Sequence, residues 1–186
     1  MRRVFAFVLT VMTLFGCSKN SETIEPGLKL REQLLNSKGC SFEAKITADY
    51  GDELYSFSMQ CSFDSVGNLS FTVNEPESIN GISGTVSLEG GRIAFDDKVV
   101  AFPLLTDDQL TPISSPWLFM NTLRGGYLRA CEETKNEIHL IYDDSYESDA
   151  LQVDVYITEK YVPIHGEFLF RGRRIITIDV TNFKYL

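Results

Sequence analysis

Apolar and polar residues alternate along most of the chain. Phe42, Ala44, Ile46, Ala48 and Tyr50 fall on one side of the pattern, with Glu43, Lys45, Thr47 and Asp49 on the other. This is the period of two expected of a half-buried strand. Tyr55, Phe57, Met59, Cys61 and Phe63 repeat it after a Gly51-Asp52 turn. Leu69, Phe71 and Val73 follow a second turn over Asp64-Ser65-Val66-Gly67-Asn68. Shorter strands are predicted at 84–88, 91–95 and 99–104, and further ones at 137–142, 151–157, 164–170 and 174–183. About ten short strands joined by Gly, Asp and Asn turns predict a mainly β, α+β fold. The predicted architecture is a large antiparallel sheet or barrel. Two helices interrupt it. Leu30, Leu34 and Leu35 have helical spacing over 28–37, and Ser115-Pro116 starts a second helix over 117–123 that stops at Gly125-Gly126.

The N-terminus does not belong to this pattern. Met1-Arg2-Arg3 precedes an apolar run from Val4 to Leu14, too short to span a bilayer. The run ends in Leu14-Phe15-Gly16-Cys17, which resembles the lipobox of bacterial lipoproteins. That resemblance implies cleavage before Cys17 and a lipid on its thiol. Residues 1–16 are then a signal peptide, 17–27 a polar tether and 28–186 a single domain. The expected place is the extracytoplasmic face of a cell membrane, held there by acyl chains.

With Cys17 assigned to lipid, Cys40, Cys61 and Cys131 remain, and an extracytoplasmic site permits a disulfide. Cys40 with Cys61 is the preferred pair, because the two flank the first hairpin. If Tyr50 faces Glu53 across the turn, Phe42 lies opposite Cys61 and Cys40 one same-face step beyond. That diagonal needs a bend or bulge, since bridged Cα atoms lie less than about 7 Å apart. Cys61 with Cys131 is the competing pair.

Three stretches carry a wider resemblance: CSFEAKITADYGDELYSFSMQCSFDSVGNLSFTV from residue 40, SSPWLFMNTL from 114 and RRIITIDVTNFKYL from 173. With the lipobox and the order of elements, they resemble the outer-membrane lipoprotein carrier superfamily. Its members are the LolA-like and LolB-like proteins and the related lipoprotein-binding sheets of actinobacteria. The resemblance implies a half-open, curved antiparallel sheet covered by helices, with an apolar cavity between them that accepts acyl chains. It maps no family binding residue onto a position of this chain.

Charge and motifs narrow the chemistry. The chain has 17 Lys and Arg against 26 Asp and Glu, a formal net charge of −9, which disfavours nucleic acid and anionic lipid surfaces as partners. No CxxC is present, His139 and His165 stand apart, and no G-x-S-x-G elbow occurs, so no metal, cofactor or catalytic residue is assigned. The acidic run 143–149 lacks the calcium-loop pattern and reads as a solvated loop, and Asp96-Asp97 and Asp107-Asp108 read as turns. The expectation is a protein that is not an enzyme.

The aromatic load is the feature that points to function. A sheet of this many strands with two short helices leaves part of its interior unfilled, and an unfilled apolar interior is a ligand site. Its expected lining is Phe42, Ala44, Ile46, Ala48, Tyr50, Phe57, Met59, Phe71, Val153 and Val155 from the sheet, with Trp117, Phe119 and Met120 from the helix above. The alternative for each is a place in a filled core. The partners expected are lipid or lipidated cargo, or, in an alternative reading as an envelope sensor or interaction module, a membrane protein. The anchor yields the first prediction. Cys17→Ser should release the protein from membranes, because stable anchorage takes two or more acyl chains. Fractionation of that variant with membranes after a high-salt wash would remove the lipoprotein assignment.

Overall fold

A computed structural model describes residues 24–95, 98–106, 109–134, 137–143 and 151–186. The expectations for the signal peptide, Cys17, Asp96-Asp97, Asp107-Asp108 and residues 144–149 lie outside them. Helix α1 (Glu25–Asn36) leads into β1 (Gly39–Asp49), β2 (Leu54–Asp64), β3 (Leu69–Glu75), β4 (Ser83–Ser87), β5 (Gly90–Phe95) and β6 (Lys98–Phe102). The short pair β7 (Leu105–Thr106) and β8 (Gln109–Leu110), then the 3-10 turn Pro112–Ser114, precede helix α2 (Ser115–Gly125). Strands β9 (Tyr127–Glu133), β10 (Ile138–Asp143), β11 (Leu151–Ile157), β12 (Pro163–Phe170) and β13 (Arg173–Tyr185) complete the chain.

Eleven strands form one open antiparallel sheet in the order β6-β5-β4-β3-β2-β1-β13-β12-β11-β10-β9. The C-terminal strand β13 pairs with β1, so both ends of the domain meet in mid-sheet. The first hairpin has the expected register: Tyr50 N–H donates to Glu53 O at 3.0 Å, and Phe42 faces Cys61. The added strand is β9, an edge strand whose alternation is broken by a register shift against β10 at Arg129.

The alternating apolar side chains make one core on the helix-bearing face. Leu30 and Leu34 of α1 and Trp117, Phe119, Met120 and Leu123 of α2 are buried in it with Ile46, Met59, Val155 and Ile178 of the sheet. Helix α2 reaches the sheet closely because β12 offers Gly166. A Cβ there would stand 2.5 Å from the Phe119 ring, so only glycine lets the ring lie on the strand. Arg31 of α1 donates to the carbonyls of Leu123 and Gly126, satisfying the C-terminal end of α2.

The other anchor of α2 is the β2–β3 turn. Asp64 Oδ1 accepts from the N–H groups of Val66, Gly67 and Asn68 at 2.9, 2.7 and 2.8 Å. Gly67 has φ 106°, which a glycine adopts without strain. The Trp117 indole donates to Gly67 O at 2.8 Å, and Arg124 donates to Ser65 O at 2.8 Å.

The expected Cys40–Cys61 bridge is absent: Cys40, Cys61 and Cys131 are free, buried thiols. Cys40 faces Phe63 and Cys61 faces Phe42 in an unbroken β1–β2 register, so the two cysteines are diagonal neighbours. Diagonal positions in a regular ladder lie about 7–8 Å apart, beyond bridging reach. Burial is the main cause raising all three thiols, Cys40 to about 12 and Cys131 to about 11, with Cys61 also raised.

Two predictions follow from these contacts. The folded protein should resist thiol reagents at pH 8, since thiolate is the reacting form, and should yield three reactive thiols besides Cys17 when unfolded. A Cys40–Cys61 or Cys61–Cys131 peptide on non-reducing mapping is the contrary result. The second concerns Asp64. Burial raises its pKa, but the N–H donors of Asn68, Gly67 and Val66 outweigh it and lower the net value. Its contribution is therefore full above the unfolded carboxyl range and lost as pH falls through the lowered folded value. Asp64→Ala should cost about 1 kcal/mol at pH 7, given the exposure of the group. In denaturant titrations the difference from the parent should shrink at acid pH; a difference independent of pH excludes this role for the carboxylate.

Candidate functional site

The sheet face is not covered evenly. Along β2 the inward residues become more exposed towards the first turn: Met59, Cys61 and Phe63 are buried, Phe57 is half-buried and Tyr55 is 44% exposed. At that end lies a hollow of about 540 Å³ that opens to solvent. Tyr50, Tyr55 and Phe57 come from the first hairpin, Val73 from the end of β3, Ile82 from the entry to β4 and Ile93 from β5. Ile79 stands in the 3-10 turn after β3, and Leu110, Thr111, Pro112 and Ile113 form the opposite wall on the approach to α2.

The walls are fixed by hydrogen bonds. The Tyr50 hydroxyl donates to Leu110 O, tying the hairpin to the opposite wall. Thr111 Oγ1 donates to Pro103 O at 3.2 Å and Thr111 N–H to Leu104 O at 3.0 Å, which close that wall on itself. Val73 N–H donates to Ile82 O at 2.8 Å, and Gly81 N–H to Val73 O at 2.9 Å, holding the loop that carries Ile79. Burial, then the neighbouring Tyr55, pushes the Tyr50 phenol up to about 12, so it remains a donor at neutral pH. The two phenol rings meet edge to face at 6.3 Å. Glu53 is the lining residue with a charge, and its Oε2 accepts from the Tyr55 hydroxyl.

The residues expected to line a cavity separate into two groups. Tyr50 and Phe57 line the hollow. Phe42, Ala44, Ile46, Ala48, Met59, Phe71, Val153, Val155, Trp117, Phe119 and Met120 are buried in the continuous core beneath the helices. For that group packing prevails, because α2 lies against β2 and β13, with α1 packed on α2 and on β9. Sequence reasoning missed Ile79, Ile82, Ile93, Leu110 and Ile113. A non-periodic aliphatic residue in a polar loop was the available signal, and Ile79, Ile82 and Ile113 each carry it.

The opposite face of the sheet carries a row of polar and aromatic side chains, with Asp154 buried among them. His139, Tyr156, His165 and Asp179 form a row of direct cross-strand neighbours over β10 to β13. His139 stacks on Tyr156 at 4.6 Å, and His165 Nδ1 lies 2.6 Å from Asp179 Oδ1. His139 Nε2 lies 3.3 Å from Asp154 Oδ2 without the alignment of a hydrogen bond. Among the described residues, no three His, Cys, Asp or Glu side chains cluster as metal ligands. No helix among them is long and apolar enough to cross a membrane.

No family model and no curated protein matches the chain. Solved structures align with most of the chain at low identity. A LolA superfamily protein from Nitrosomonas europaea aligns with 13% identity over 85% of this chain and 92% of its own, with a TM-score of 0.45. A putative outer membrane lipoprotein-sorting protein domain from Vibrio parahaemolyticus aligns at 7% identity over 87% and 91%, with a TM-score of 0.48. The Mycobacterium tuberculosis lipoprotein LppX aligns at 10% identity over 87% and 96%, with a TM-score of 0.41.

Proposed function

We propose that this protein binds lipid, or the acyl chains of lipidated cargo, in the hollow at the turn end of the first hairpin. It acts as a carrier or chaperone tethered through Cys17 at the extracytoplasmic face of a membrane. The observation that carries the reading is the hollow itself, about 540 Å³ with mainly apolar walls beside a packed interior. That volume is in the range of small-molecule sites, and apolar burial at about 25 cal/mol per Å² supplies the affinity. The signal-like start and the lipobox-like Leu14-Phe15-Gly16-Cys17 support the tether. A second reading, a sensor or interaction module that binds a membrane protein, draws on the edge strand β6, where Val99 and Val100 are 68% and 62% exposed.

Filling the hollow tests the first reading. Ile82→Trp and Ile113→Trp should lower the affinity for a fluorescent acyl probe about tenfold or more while leaving the melting temperature nearly unchanged. Ala44→Phe, placed in the packed core, should instead destabilise by about 1–3 kcal/mol. A parent protein that binds no acyl probe, and whose organic extract contains no lipid by mass spectrometry, transfers first place to the interaction module.

A further inference from the structure

We propose that the hollow discriminates by charge, taking amphiphiles whose polar end is an ammonium group and disfavouring those that end in a carboxylate; this rests on the acyl-chain reading above. A site for fatty-acid carboxylates needs Arg, Lys or free donors aimed at the anion. Among the described residues, the lining contains no Lys, Arg or His. Its three hydroxyl protons are already committed: Tyr50 donates to Leu110 O, Tyr55 to Glu53 Oε2 and Thr111 to Pro103 O. The backbone N–H groups of Thr111 and Val73 are engaged with Leu104 O and Ile82 O. A carboxylate entering here would meet no uncommitted side-chain donor and one like charge.

Acceptors, by contrast, remain. Glu53 stands exposed in the lining, oriented by the Tyr55 hydroxyl, with lone pairs to spare for an ammonium group. The formal charge of −9 acts in the same direction over a longer range. Because Glu53 is exposed, its contribution is screened by salt. The expected discrimination between ammonium and carboxylate is therefore about five- to tenfold rather than several orders of magnitude.

The test is displacement of N-phenyl-1-naphthylamine, a neutral apolar probe, from the purified full-length protein. Competitors are dodecylammonium, dodecanol and dodecanoate below their micelle thresholds. Affinity should fall in that order at low salt, with the spread contracting at high salt. Glu53→Gln should bring the ammonium-to-carboxylate ratio close to one, and Glu53→Lys should reverse the order. Equal affinities in the parent, or an order retained in Glu53→Lys, overturn the charge selection while leaving the acyl site standing. If neither probe nor dodecanol binds, the hollow is not an acyl site and both ideas fall.

Discussion

One apolar sheet face has to be covered by too little helix. Eleven strands set about 4.8 Å apart extend roughly 48 Å across the sheet. The α-helices among the described residues have 12 and 11 residues, each about 17 Å long. Helix α2 settles over the middle of the sheet, where Gly166 admits the Phe119 ring and the β2–β3 turn accepts the Trp117 indole, while α1 packs on α2 and on the edge strand β9. The face left over at the far end of the first hairpin is bordered by the loop carrying Ile79 and Ile82 and by residues 110–113, and the hollow is the space they leave unfilled.

The shortage of cover does not make the hollow soft. Its two sides are joined by the Tyr50 hydroxyl, and the Pro103–Thr111 and Leu104–Thr111 bonds brace the segment behind Leu110, which is itself buried. A site with braced walls loses less conformational freedom on binding than one that must close around its ligand. The graded exposure along β2, from buried Met59 to open Tyr55, sets the mouth at the hairpin end.

Much of the sheet was legible because its cause is local. Leu151–Ile157 alternates and is a strand with those bounds, and the Gly51-Asp52 turn fixes the register that places Phe42 opposite Cys61. The site was less legible because its cause is not local. Ala44, Ile46 and Val155 look like cavity residues from strand phase, and they are core because helices distant in sequence sit over them. Ile82 and Ile113 look like loop residues, and they line the hollow because the 73–82 loop and the approach to α2 converge there. Strand β9 was hidden for a related reason. A register shift against β10 leaves Arg129 without a direct partner between Leu128 and Ala130, so the alternation is broken within the strand.

The distribution of polar groups completes the logic. On the outer face, acidic residues meet histidine and arginine across strands: Asp179 contacts His165, and Glu167 accepts from Arg174 at 2.7 Å. Inside, the titratable groups are thiols and phenols that burial keeps protonated, with Cys40 and Tyr142 both pushed up to about 12. An apolar chain entering the hollow therefore breaks no buried ion pair and meets no buried charge. Affinity in such a site follows the apolar area covered and says little about which amphiphile is held. Selection then has to come from the polar groups of the lining, where Glu53 carries the charge.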